Sequence, residues 1–102
     1  MNYSSHVIEV RRTAVFQDWF ARLRDVEAKA AITARIRRLS LGNFGDAKPI
    51  GSGVSELRIH RGPGYRIYFV RRGGEIVILI CGGDKSSQDR DIVRAKELAK
   101  EV

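Results

Sequence analysis

An α+β fold in the order β-α-α-β-β-β-α is predicted by three observations. Apolar residues recur at helical spacing in two early segments and one late one. Between them lie short apolar or alternating runs, broken by Gly62-Pro63-Gly64 and Gly73-Gly74, which read as strands joined by tight turns. The chain has 102 residues, 43% of them hydrophobic, enough for one domain with one modest core. Residues 1–102 are therefore read as a single domain.

Each element follows from local chemistry. Tyr3–Val10 alternates and reads as the first strand. Thr13 is placed to cap a helix, and after it Val15, Phe16, Trp19, Phe20 and Leu23 form a wide apolar stripe, read as core. Asp25 caps a second helix over residues 26–41. Its thin apolar face is read as Ala30, Thr33, Ile36 and Leu39–Leu41, with Arg35, Arg37 and Arg38 outside. Gly42-Asn43 ends that helix, and the near absence of a linker predicts a helical hairpin. Gly42–Gly53, rich in glycine, reads as the one long loop. Val54–His60, Tyr65–Arg71 and Glu75–Cys81 then form an antiparallel meander. The last of these is apolar on both faces and is expected to lie inside the sheet. Ser86 or Ser87 opens a final helix over Gln88–Lys100, with Ser86 and Asp89 spaced as in a capping box.

Composition narrows the function. The formal net charge is +7, which suits a polyanion or an acidic protein partner. The longest apolar run, Ile76–Cys81, is far short of a membrane span, and the N-terminus lacks the apolar core of a signal peptide. The expected setting is the cytoplasm, with no membrane partner. Cys81 has no cysteine to pair with, and no Cys/His cluster has metal-ligand spacing, so no metal or other cofactor is expected. Cys81 itself reads as a small core residue.

The basic strands pose the functional question. Side chains alternate between faces of a strand, so Leu57 and Ile59 share one face while Glu56, Arg58 and His60 share the other. On the next strand Tyr65, Ile67 and Phe69 oppose Arg66, Tyr68 and Val70. With the apolar face against the helices, Arg58, His60, Arg66 and Tyr68 are expected on an open face of the sheet. Such a face can hold RNA by arginine–phosphate forks and base stacking, or can be a solvated face of ion pairs. The segment "CGGDKSSQD" leaves a strand and enters a helix, which places Lys85 at a helix mouth that favours anions. Its glycines are read as letting a ligand approach the backbone.

Together, "ELRI", "GPGYRIYF", "ILICGGDKSSQDRDI" and the element order resemble the RelE/ParE superfamily of toxins from bacterial type II toxin–antitoxin modules. Within it the chain is most similar to the HigB-like addiction module killer protein group. The resemblance implies a RelE-like fold, a twisted antiparallel sheet packed by helices. It also implies a toxin that cuts messenger RNA on the ribosome. Its partner would be a helix-turn-helix antitoxin from the same operon, and it would meet operator DNA only through that antitoxin. Carried over residue by residue, the family's basic positions fall on Arg58, on Arg66 of the G-Y-R motif and on the Asp84–Lys85 region. The tyrosine or histidines that such enzymes often carry after the last strand are replaced here by Gln88, Asp89, Arg90 and Asp91.

On this resemblance the RNA supplies its own nucleophile, the 2′-OH. Arg58, Arg66 and Lys85 would stabilise charge on the phosphorane. His60 is a candidate base, with Asp84 and Asp91 as the other candidates for proton transfer. Arg61, Tyr68 and Arg71 are the candidate RNA-binding residues. Two alternatives keep the fold and change the function: a ParE-like gyrase inhibitor, and a non-catalytic protein that binds nucleic acid or antitoxin.

Overall fold

The computed structural model describes residues 7–102. Among these residues the elements are strand β1 (Glu9–Arg12), helices α1 (Ala14–Arg22) and α2 (Val26–Ser40), strands β2 (Ala47–Gly51), β3 (Val54–Ile59), β4 (Tyr65–Arg72) and β5 (Ile76–Gly83), a 3₁₀ turn (Lys85–Ser87) and helix α3 (Gln88–Ala99). Tyr3–His6 of the expected first strand lie outside the described residues; the strand found begins at Glu9.

The sheet has five strands in the order β1-β5-β4-β3-β2. It is mixed, which corrects the all-antiparallel expectation. β2, β3, β4 and β5 pair antiparallel, but β1 runs parallel to β5, with Glu9 opposite Ile76 and Arg12 opposite Leu79. The fifth strand, β2, comes from the stretch read as a loop. Its Pro49 lacks an N–H, and Gly51 sits at a register shift, so it resembles a loop in sequence and is tolerated at the sheet edge.

The helix placement also differs from the expectation of one covered face. α1 and α2 pack on one side with Ile8, Leu57, Ile59, Tyr65, Ile67, Phe69, Val77 and Leu79. α3 covers part of the other side, where Val54, Tyr68, Val70, Ile80 and Cys81 meet Ala95 and Ile92. Ile36 and Leu39 of α2 turn inward as read from sequence, but Ala28 and Ile32 take the places expected of Ala30 and Thr33, completing a regular helical stripe. No helix among the described residues is long and apolar enough to cross a membrane.

Thr13 and Asp25 cap their helices as the sequence indicates, accepting from the Phe16 and Ala28 amides at 3.0 Å. The Thr13 hydroxyl also donates to the Ile80 carbonyl at 2.6 Å. Ile80 is the extra residue of a β-bulge: Tyr68 pairs with Cys81 and Phe69 with Leu79. The turn into α3 is built differently from the expected capping box. Asp84 accepts from the Ser86 amide at 2.8 Å, while Ser87 precedes the helix without a capping bond and gives its hydroxyl to Asp91 at 2.5 Å.

The two glycines of "CGGD" follow from this two-sided packing. A Cβ on Gly82 would lie 2.4 Å from the Trp19 ring, and one on Gly83 would lie 1.9 Å from an Asp91 carboxylate oxygen. α1 presses on one glycine and α3 on the next, so they make room for helices, which corrects the reading that they admit a ligand.

Candidate functional site

β3 and β4 place Val54, Glu56 and Arg58 beside Val70, Tyr68 and Arg66 in matched register. α3 lies over the first two of these pairs and stops at Gln88, so the expected open face is open only at the Arg58–Arg66 end. There the Gly62–Gly64 turn bends towards the segment after β5: the Lys85 amide donates to the Pro63 carbonyl at 3.3 Å. Gly62 and Gly64 both have positive φ, which glycine adopts without strain.

The result is a cavity of about 460 Å³ lined by Arg58, His60, Arg61, Arg66 and Lys85 together with Ile59 and the Gly62–Gly64 turn. Five of the residues singled out by sequence thus meet around one hollow. Four are cations from two strands, a turn and the loop after β5. Arg66 is the most enclosed, with a side chain 12% exposed, against 32% for Arg58.

The arginines are held from below and from the side. Arg58 Nη2 pairs with Asp46 at 3.1 Å, and the Arg58 amide donates to the Asp46 carbonyl at 2.9 Å. Arg35, expected on the outer side of α2, reaches in, donating to the Arg58 carbonyl at 2.7 Å and to the Phe44 carbonyl at 3.2 Å. Burial lowers the Arg35 pKa from its ordinary value. The Asp46 carboxylate also binds His60 Nε2, and that hydrogen bond, ahead of the Arg58 charge, holds the Asp46 pKa below the usual carboxylate range. An aspartate that fixes one ring nitrogen of a histidine orients the other. Arg61 pairs with Glu27 of α2 at 2.8 Å. Among the described residues, none of the ion pairs involves Lys85.

The remaining candidates lie elsewhere. Tyr68, read as a stacking residue, is fully buried under α3, where burial raises its hydroxyl pKa; it cannot reach a base. Arg71 projects from the opposite face of β4, with its guanidinium 4.4 Å from the Phe44 ring centre. Asp84 is occupied as the cap of the 3₁₀ turn, and the hydrogen bond from Ser86 lowers its pKa. Asp91 lies over Gly83, bonded to Ser87, away from the cavity lining.

Glu56, read from sequence as an ion-pair partner of the arginines on a solvated face, is instead not solvated. It is fully buried beneath the two arginines, with Oε1 3.9 Å from Arg58 Nε and 4.0 Å from Arg66 Nη1. Gln88 Nε2 donates to its Oε2 at 2.9 Å. Its signal was strand parity, which puts it on the face of Arg58. Asp46 gave no comparable signal, because it precedes a strand that the sequence hides. No group of three or more His, Cys, Asp or Glu side chains among the described residues is placed to hold a metal ion. The chemistry available is anion binding by guanidinium and ammonium groups, beside a carboxylate-oriented imidazole.

A family model described as "Phage derived protein Gp49-like (DUF891)" matches residues 18–101. The chain is also similar to an uncharacterised protein of Haemophilus influenzae (strain ATCC 51907 / DSM 11121 / KW20 / Rd). The two are 52% identical over 95 residues, a span covering 93% of this chain and 96% of the relative.

Proposed function

The chain belongs to the phage-derived Gp49-like family, a toxin-like family of toxin–antitoxin context, and on that premise we propose that it is a toxin that cuts messenger RNA on the ribosome. A helix-turn-helix antitoxin from the same operon neutralises it. The observation that carries this reading is the convergence of Arg58, Arg66 and Lys85, with His60, on one cavity.

The cavity binds a phosphodiester by charge-assisted hydrogen bonds from the two guanidiniums and the ammonium. The attacking group is the 2′-OH next to the scissile phosphate. Its oxygen forms a bond to phosphorus as the bond from phosphorus to the 5′ oxygen breaks. The products are a 2′,3′-cyclic phosphate and a 5′-OH. His60, oriented by Asp46, takes the proton of the 2′-OH, and water or the same imidazole returns one to the leaving oxygen. Arg66, the most enclosed cation, faces the charge that builds on the phosphorane, and one such preorganised donor is worth roughly 10²–10³ in rate.

Arg66→Ala tests the reading. Induced without its antitoxin, the wild type should arrest growth and leave new 5′ ends on cellular messages. The variant should lose both while retaining its fold and its antitoxin. Full toxicity in the variant overturns the site. Intact messages with DNA damage after induction of the wild type point instead to a gyrase inhibitor.

A further inference from the structure

The counter-ion of this site lies inside the protein, near both central arginines but without a hydrogen bond to either. Arg58 and Arg66 face each other across β3 and β4, a placement in which like charges repel. Glu56 lies below both, fully buried. A buried carboxylate is stable only with compensating charge and hydrogen bonds. Yet Glu56 Oε1 has no hydrogen-bond partner, and neither do Arg58 Nε and Arg66 Nε; all three atoms are buried, so an incoming anion meets the outer Nη groups, of which Arg58 Nη2 already pairs with Asp46. The separations of 3.9 and 4.0 Å attract the guanidiniums without consuming their N–H groups. The other carboxylate oxygen, Oε2, accepts from Gln88 Nε2 at 2.9 Å.

We propose that Glu56 is a positioning residue: its charge holds Arg58 and Arg66 side by side, and Gln88 holds it back so that their donors stay free for phosphate. The inference rests on the phosphodiester reading of the cavity. It makes the carboxylate a built-in competitor as well as an anchor. An incoming phosphate feels its repulsion, while the arginines that receive the phosphate depend on it for their geometry.

Two variants act in opposite directions on binding. Glu56→Gln keeps the shape and an acceptor for Gln88 but removes the charge. Affinity for a 2′-O-methyl RNA oligonucleotide, which cannot be cleaved, should rise on the order of tenfold as the repulsion is lost. Single-turnover cleavage of a ribosome-bound message with its 2′-OH intact should slow by about tenfold or more as the arginines lose register. Gln88→Ala releases the carboxylate onto the arginines, so affinity for the same oligonucleotide should fall. If Glu56→Gln does not fold, Gln88→Ala alone decides the matter. Wild-type binding that neither variant shifts in these directions overturns the inference and leaves the nuclease reading standing. The expected binding shifts with no cleavage of ribosome-bound message by the wild type sustain the inference and overturn the nuclease reading. No RNA binding by wild type or variants overturns both.

Discussion

Tyr68 carries a buried hydroxyl with no hydrogen-bond partner. A polar atom left so costs about 1–3 kcal/mol, so Tyr68→Phe should stabilise the protein by roughly 1 kcal/mol in urea unfolding. A loss of stability would mean that the hydroxyl has a partner. Cys81 is similarly hidden, and burial pushes its thiol up to about 12. A raised pKa favours the neutral form in the fold. That contribution is intact below the ordinary thiol range and is lost as pH rises through about 12. Iodoacetamide at pH 8 should therefore label Cys81 only as fast as the protein opens, a rate that mass spectrometry can follow. At this scale the sequence was informative about direction and silent about cover. Alternation along β3 and β4 put Arg58, Arg66, Tyr68 and Glu56 on one face, as found. It could not say that α3 would bury Tyr68 and Glu56 and leave the arginines at the rim, because that depends on where a distant helix lands.

Elements carry the same lesson in their boundaries. The capped starts of α1 and α2 were legible, because Thr13 and Asp25 act on amides three residues away. β2 was not, because Pro49 and its flanking glycines signal a loop while pairing with β3 supplies the strand. Arg35 was misplaced because it flanks the buried Ile32–Leu39 stripe, and a long side chain there can fold inward to reach the Arg58 carbonyl. The glycine pair after Cys81 has a reason that only the packed elements reveal. Gly83→Ala should cost about 1–3 kcal/mol, because Asp91 must leave its place over β5 to admit a methyl group. Thermal unfolding checks this, and Gly83→Ala combined with Asp91→Ala should recover part of the loss. An unchanged midpoint for the single variant would show that α3 is not tightly seated.

Over the whole molecule the charge is uneven in use. Of the 19 Lys and Arg residues, four line one cavity, and two of these, Arg58 and Arg61, also lean on acids at its edge. Binding of single-stranded RNA should weaken as salt rises, with a log–log slope of about −0.7 for each phosphate neutralised. Two or three engaged phosphates would give a modest slope, readable by fluorescence anisotropy across a salt series, and Lys85→Ala should flatten it. A slope near zero would mean that the cavity does not bind the backbone. The two-layered cover of the sheet was the least legible feature. Its cause is topological: the last helix returns under the face that alternation alone marks as free.

The parallel seam between Glu9–Arg12 and Ile76–Leu79 has a consequence in time. Residues 9–12 must wait for residues 76–79 before their backbone is satisfied, because closing so long a loop comes before any gain from the contact. The sheet thus gains its finished shape only after β5, some sixty residues further along the chain, has been made.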